Sequence, residues 1–267
     1  MSQEIKQTKG FGGAQATLTD ATILGRLPAQ CAIPGYWSSI ADNASNWARE
    51  ISAGPLWQSA HTELEGWRKE YLRDFGGVLN IGPLQSFVGK SENRLKEKTI
   101  EKITRAKSIE SGLEQIFDQK VPVPRLEDLV RVRLAVQFLD GVPFLAKKIF
   151  ELAQKYDPNA AIEPKGNLNG YFAQHLTFRS QVYFRFGGAP TACDVTCEVQ
   201  IATSLATHVW ENSHLLYENT RVLPEKSEDW QWSPRDPRFL SRQLGHMIHL
   251  ADGLFCNLRD NGNKVAK

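Results

Sequence analysis

Two short runs of this sequence place charged and amide side chains at alternate positions, which is how a β-strand gathers polar groups on one face. In the first, Val130, Val132, Leu134, Val136 and Phe138 alternate with Arg131, Arg133, Ala135, Gln137 and Leu139. In the second, Val195, Cys197, Val199 and Ile201 alternate with Asp194, Thr196, Glu198 and Gln200. If both strands lie in one sheet, Arg131, Arg133, Asp194, Glu198 and Gln200 converge outside the core. Carboxylates beside arginines suit a nucleotide and a metal. Magnesium takes one or two carboxylates and completes its octahedron with water and phosphate oxygens, while Arg and Lys neutralise the phosphates. The same parity describes a solvated sheet face with surface ion pairs worth about 0–1 kcal/mol each. Parity alone leaves both readings standing, with the solvated face somewhat favoured.

Simpler signatures fail. Gly89-Lys90-Ser91 after Gly82 imitates a phosphate-binding P-loop, but six residues separate the glycines where that loop requires four. Gly10-Phe11-Gly12-Gly13 opens no strand-to-helix unit, and none of the six histidines stands in a His-Asp dipeptide. The four cysteines, Cys31, Cys193, Cys197 and Cys256, include no CxxC pair, so neither a zinc knuckle nor a disulfide scaffold is indicated. Cys193 and Cys197 read as small buried hydrophobes on one strand face.

The elements that must position the polar face are legible on either side of it. The spacing of Trp47, Ile51, Leu56, Trp57, Leu64, Trp67, Tyr71 and Leu72, broken by Gly54-Pro55, predicts two amphipathic helices between Asn43 and Asp74. Residues 90–107 follow as a charged stretch with seven Lys/Arg and three Glu. After the strand at 130–139, a helix is expected over 142–156 and a loop through Asp157-Pro158-Asn159 and Pro164-Lys165-Gly166. A hairpin is expected across Leu176, Phe178, Val182 and Phe184, then the strand at 194–201 and helices over 204–217 and 237–258. The fold class is α/β (α+β), with a mixed sheet, an N-terminal helical cap over 37–89 and helices after the sheet. Residues 1–36, rich in Gly, Ala, Gln and Thr, read as a mobile leader. At 267 residues, 41% hydrophobic and 23% charged, the chain can bury a core without staples. A formal net charge of +2 gives no general affinity for nucleic acid. With no long apolar run and no signal-peptide pattern, a soluble, cytoplasmic protein is expected.

Four segments, read in order, add a resemblance. They are Arg105-Ala106-Lys107-Ser108-Ile109-Glu110-Ser111, Glu127-Asp128-Leu129-Val130-Arg131-Val132-Arg133, Asn169-Gly170-Tyr171-Phe172-Ala173-Gln174-His175 and Cys197-Glu198-Val199-Gln200-Ile201. They resemble the RxKxxxS, DLxGxR, GYRSxH and EVQIRT patterns of the RelA/SpoT nucleotide pyrophosphokinases, the alarmone synthetases. Trp210, His214 and Tyr217 resemble that family's terminal helix. The resemblance covers about Lys90 to Tyr217 and makes residues 90–267 a synthetase-like domain with C-terminal helices.

The resemblance implies roles. Arg105 and Arg133 would grip the ATP base and Lys107 with Ser111 its phosphates. Asp128 and Glu198 would hold Mg2+, and Glu198 would also be the general base toward the acceptor hydroxyl. Tyr171 would stack on the acceptor base, supported by His175 and Gln200. Asp128 shares the register of buried residues, so a turn at the start of its strand must re-aim it. The chain departs from the family at Arg131, where Gly is usual, at Phe172-Ala173, where Arg-Ser is usual, and at Ala202, where Arg follows EVQI. The departures concentrate on the acceptor side. The implied activity is transfer of the β,γ-pyrophosphate of ATP to the 3′-hydroxyl of a purine nucleotide, GDP or GTP, as in (p)ppGpp synthesis. The alternatives are a toxin-type member, countered by an antitoxin protein, that makes adenosine alarmones or pyrophosphorylates tRNA 3′ ends, and an inactive nucleotide- or partner-binding module.

Overall fold

The computed structural model describes residues 23, 25–117, 121, 123–166, 170–211 and 231–265. The N-terminal pattern folds into α1 (Tyr36–Ser52) and α2 (Pro55–Phe75). Ala53-Gly54 separates them and Pro55 opens α2, where its missing N–H costs nothing. Ile40, Ala44, Trp47 and Ile51 bury one stripe of α1, and Trp57, Ala60, Leu64, Trp67 and Tyr71 one stripe of α2. The charged stretch forms α3 (Glu92–Arg105), followed by α4 (Ile109–Ile116).

The sheet is five-stranded, in the order β1-β2-β5-β4-β3. Its strands are β1 (Val88–Gly89), β2 (Val130–Val136), β3 (Ala161–Gly166), β4 (Phe172–Phe184) and β5 (Thr191–Thr203). The central pair, β2 and β5, is parallel, and the other neighbours are antiparallel. Helix α5 (Gly141–Tyr156) lies in the crossover from β2. Residues 204–211 are helical (α6), and α7 (Pro237–Val265) ends the described chain.

The even residues of β2 and β4 and the odd residues of β5 face the core, where α1 and α5 meet the sheet. Two polar clamps hold α1 there: the Trp47 indole donates to the Tyr183 carbonyl at 3.0 Å, and the Asn43 amide exchanges two hydrogen bonds with the Arg185 backbone. The helical cap therefore shares one core with the sheet. At Gly89 a Cβ would come within 2.5 Å of the Ala44 backbone, so glycine lets β1 pass directly over α1.

Four expectations are corrected. The expected hairpin at 176–184 is a single 13-residue strand whose turn comes after Phe184, because Arg179, Ser180 and Gln181 pair across to Thr196, Val195 and Asp194. The expected loop at 164–166 is the end of β3, an edge strand that tolerates Pro164. The strand read to 139 stops at Val136, and the helix read to 258 runs on to Val265.

Candidate active site

The face of the sheet opposite the core carries the polar residues in register. Arg131, Glu198 and Thr177 form one row across β2, β5 and β4, and Arg133, Gln200 and His175 the next. Of the convergence expected from parity, Arg131, Arg133, Glu198 and Gln200 are brought together, and Asp194 is not. Asp194 lies at the far end of β5, paired with Gln181.

Glu198, only 7% exposed, is held at both oxygens. Its Oε1 lies 2.7 Å from His175 Nδ1, and its Oε2 accepts from Gln200 Nε2 at 2.6 Å. His175 Nε2 meets the Tyr171 hydroxyl at 3.1 Å, and Arg133 Nε donates weakly to Gln200 Oε1 at 3.5 Å. Arg133 also reaches Glu211 of α6 at 3.3 Å. A buried carboxylate fixed by two partners has a set plane and a set pair of outward lone pairs, which is what a positioned base or metal ligand needs.

The second half of the site lies at the start of β2. Asp128 stands in a turn and not in the strand, which resolves its parity, and its Oδ2 accepts from Lys90 Nζ at 2.6 Å. Burial would raise the Asp128 carboxyl, but the charge and hydrogen bond of Lys90, with the charges of Lys98 and Arg131, together hold the group below its ordinary range. Burial pulls Lys90 down, and Arg131 and Lys98 push it the same way against the attraction of Asp128. Lys90, Arg131 and Lys98 thus lie around Asp128, with Lys98 also paired to Glu101 at 3.3 Å.

The remaining candidates lie on α3 and α4. Arg105 ends α3 and pairs with Glu101 at 2.8 Å; Lys107 is exposed between the helices. Ser111 donates its N–H to the Ser108 hydroxyl at 3.1 Å and accepts from Gln115 through its own. Tyr171, His175, Glu198, Gln200 and Arg133 are thus joined in one bonded chain. Arg105 and Ser111 bond to neighbours on their own helices and Lys107 is exposed, so these three candidates stand apart from that chain. His214 and Tyr217 lie outside the described residues.

Tyr171 packs on Trp210 of α6 with ring centroids 4.8 Å apart. Phe172, at the position of the family's arginine, stacks on His249 of α7 at 3.8 Å and 7° between planes. Between these rings is a cleft floored by Thr203 and Asp252, whose side chains bond at 2.5 Å. Lys90 and Glu211 join the site here. Lys90 was visible in the sequence only as a failed P-loop lysine, and nothing local marks Glu211.

Among solved structures, the small alarmone synthetase 1 of Bacillus subtilis, bound to its product pppGpp, matches with a TM-score of 0.50 and 15% identity, over 85% of this chain and 98% of that one. This chain has the RelA/SpoT-type small alarmone synthetase fold. A GTP pyrophosphokinase family protein from Streptococcus pneumoniae aligns at 18% identity and a TM-score of 0.47, over 86% of this chain and 95% of that one. No family model and no curated protein matches the sequence. In this synthetase fold, no group of three His, Cys, Asp or Glu among the described residues is gathered for a metal, and no helix among them is long and apolar enough to cross a membrane.

Proposed function

We propose that the chain is an ATP-dependent pyrophosphokinase that transfers the β,γ-pyrophosphate of ATP to the 3′-hydroxyl of a purine nucleotide, GDP or GTP. The observation that carries this reading is Glu198, a buried carboxylate fixed by His175 and Gln200, one register row from Arg133 and beside the Asp128, Lys90, Lys98 and Arg131 cluster. The acceptor 3′-oxygen attacks the β-phosphorus, the bond from that phosphorus to the bridging α,β-oxygen breaks, and AMP leaves. Glu198 takes the hydroxyl proton, with His175 and Gln200 holding its plane. Arg131, Arg133 and Lys90 offset phosphate charge, Arg105, Lys107 and Ser111 extend the ATP site, and Tyr171 carries the acceptor base.

Asp128 and Glu198 have the hard oxygen donors that Mg2+ accepts, and two carboxylates suffice when water and phosphate complete the shell. Asp128 and Glu198 would hold the ion through carboxylate oxygens whose present neighbours are Lys90 and, for Glu198, His175 and Gln200. Bound, the ion supplies charge neutralisation and in-line placement of the phosphates. Phe172 on His249 removes a cation from the acceptor side, which favours offering adenine nucleotides and tRNA 3′ ends as further acceptors in the same assay.

The test is magnesium-dependent AMP release from labelled ATP with each acceptor. Glu198→Gln keeps the shape and removes the basicity, so turnover falls about 10²–10⁴-fold with the fold intact. Wild-type turnover by folded Glu198→Gln protein, or no AMP release with any acceptor, rejects the reading.

A further inference from the structure

Strand β2 is paired along its whole length on one side only. Toward β5 every residue from Val130 to Val136 is in register with Cys197 to Thr203, whereas β1 covers only Val130 and Arg131. Lys90 donates its N–H to the Leu129 carbonyl at 2.9 Å, which fixes the side on which the odd-numbered backbone groups leave the strand. A strand points the N–H and C=O of successive residues to opposite edges, so those of Arg133 and Ala135 also face the β1 side. The chain leading into β1 runs past them there. Among the described residues that segment makes no backbone hydrogen bond to β2 beyond Arg131.

The gap is a cleft of about 230 Å³, lined by Gly82, Pro83 and Gln85 of the segment and by Arg133, Ala135 and Ser204 at the end of the sheet. It is smaller than the roughly 300–1,000 Å³ of a pocket that encloses a whole drug-sized ligand, and it suits one flat ring system. Arg133 is the single charged residue of its lining. A backbone C=O and the N–H two residues on stand side by side on one strand edge as an acceptor and a donor. That pair matches the edge of adenine, where the 6-amino group donates and the neighbouring N1 accepts. A peptide strand adding to the same edge would need more of it, because β1 already takes Arg131 and only Arg133 and Ala135 remain to face outward.

We propose that the adenine of ATP sits in this cleft, its 6-amino group donating to the Arg133 carbonyl and its N1 accepting from the Ala135 N–H. The Arg133 guanidinium, held by Gln200 and Glu211, lies beside the ring. Arg131 is about 13 Å down the strand from Ala135 at roughly 3.3 Å per residue, a gap that a ribose and a triphosphate bridge to reach the cations around Asp128. The identity of the nucleotide rests on the pyrophosphokinase reading; the place and the edge that is read rest on β2.

The experiment is calorimetric titration of the full chain, with magnesium, by ATP and by purine riboside 5′-triphosphate, which lacks only the 6-amino group. The wild type is expected to bind ATP about tenfold or more tightly, since a site that pairs an amino group rejects the analogue without it. Ala135→Pro deletes one outward N–H, which an edge position tolerates. It is expected to weaken ATP about tenfold or more and to leave the affinity for the acceptor that supports AMP release unchanged. Equal affinities of the wild type for the two triphosphates, or binding of neither, overturn the proposal, as does a folded Ala135→Pro protein with wild-type ATP affinity. If Ala135→Pro misfolds, Gly82→Phe takes its place: a side chain at Gly82 starts in open space and would fill the cleft, so wild-type ATP affinity in that protein overturns the proposal too. Discrimination by the 6-amino group without AMP release from any acceptor would keep the cleft and reject the transferase, and AMP release without that discrimination would do the reverse.

Discussion

Glu198 is held at both oxygens, by His175 and Gln200, and Tyr171 is the outermost link of the bonded chain that reaches it. Replacing Tyr171 by Phe removes one hydroxyl bond to His175, worth about 0.5–1.5 kcal/mol, and keeps the ring. Replacing it by Ala removes the stacking platform, worth roughly 1–3 kcal/mol per base. We expect Tyr171→Phe to be mild and Tyr171→Ala to weaken acceptor binding about 5- to 150-fold with ATP binding spared. Separate titrations of ATP and acceptor check this, and equal losses for both would remove Tyr171 from the acceptor site. The bonded residues were readable because strand parity and motif order reported on the same side chains. Lys90 was not, because its significance lies in a contact with Asp128 across 38 positions of sequence, which no local pattern carries.

At the scale of elements, helical periodicity read true where a single apolar stripe meets one core, as in α2 and α5, and it caught α1 only from Asn43, missing the two turns from Tyr36 that bury Tyr36, Trp37 and Ile40. It read short for α7, which runs on past residue 258 to Val265. The false hairpin in β4 arose because three consecutive polar residues imitate a turn when their cross-strand partners are unknown. The most consequential contact between elements is one with no side chains. Gly170, at φ +71°, and Gly245 of α7 touch backbone to backbone; a Cβ on Gly245 would lie 2.0 Å from the Gly170 carbonyl. Helix α7 thereby presses on the turn that carries Tyr171. Gly245→Val is expected to lift the helix from that turn, raising the acceptor KM about tenfold or more while ATP affinity changes little. Parallel titrations of the variant decide it, and an unchanged acceptor KM would show that the turn holds its shape without the helix.

At the scale of the whole molecule, Lys90 and Asp128 tie the strand edge to the turn before β2, with side chains 9% and 20% exposed. Because the folded carboxyl titrates below its unfolded value, the pair contributes fully above about pH 4 and its contribution is withdrawn as pH falls through the folded value. Asp128→Asn leaves a buried ammonium without its counter-charge and should lower stability by about 1–3 kcal/mol near neutrality. Denaturation measured from pH 7 to pH 3 should show the gap to wild type narrowing in acid; a constant gap would mean that the charge of Asp128 does not matter to the fold. The order of the strands has a consequence for how the chain is made. Val130 pairs with Cys197, so the parallel neighbour of β2 leaves the ribosome 67 residues after it. At about 5–20 residues per second that is roughly 3–13 s. Throughout that interval a strand of Val and Leu has an open edge and no partner on one side. A nascent chain stalled before Thr203 is then the most adhesive form this protein takes, and chaperones that ride the ribosome are best placed to shield it.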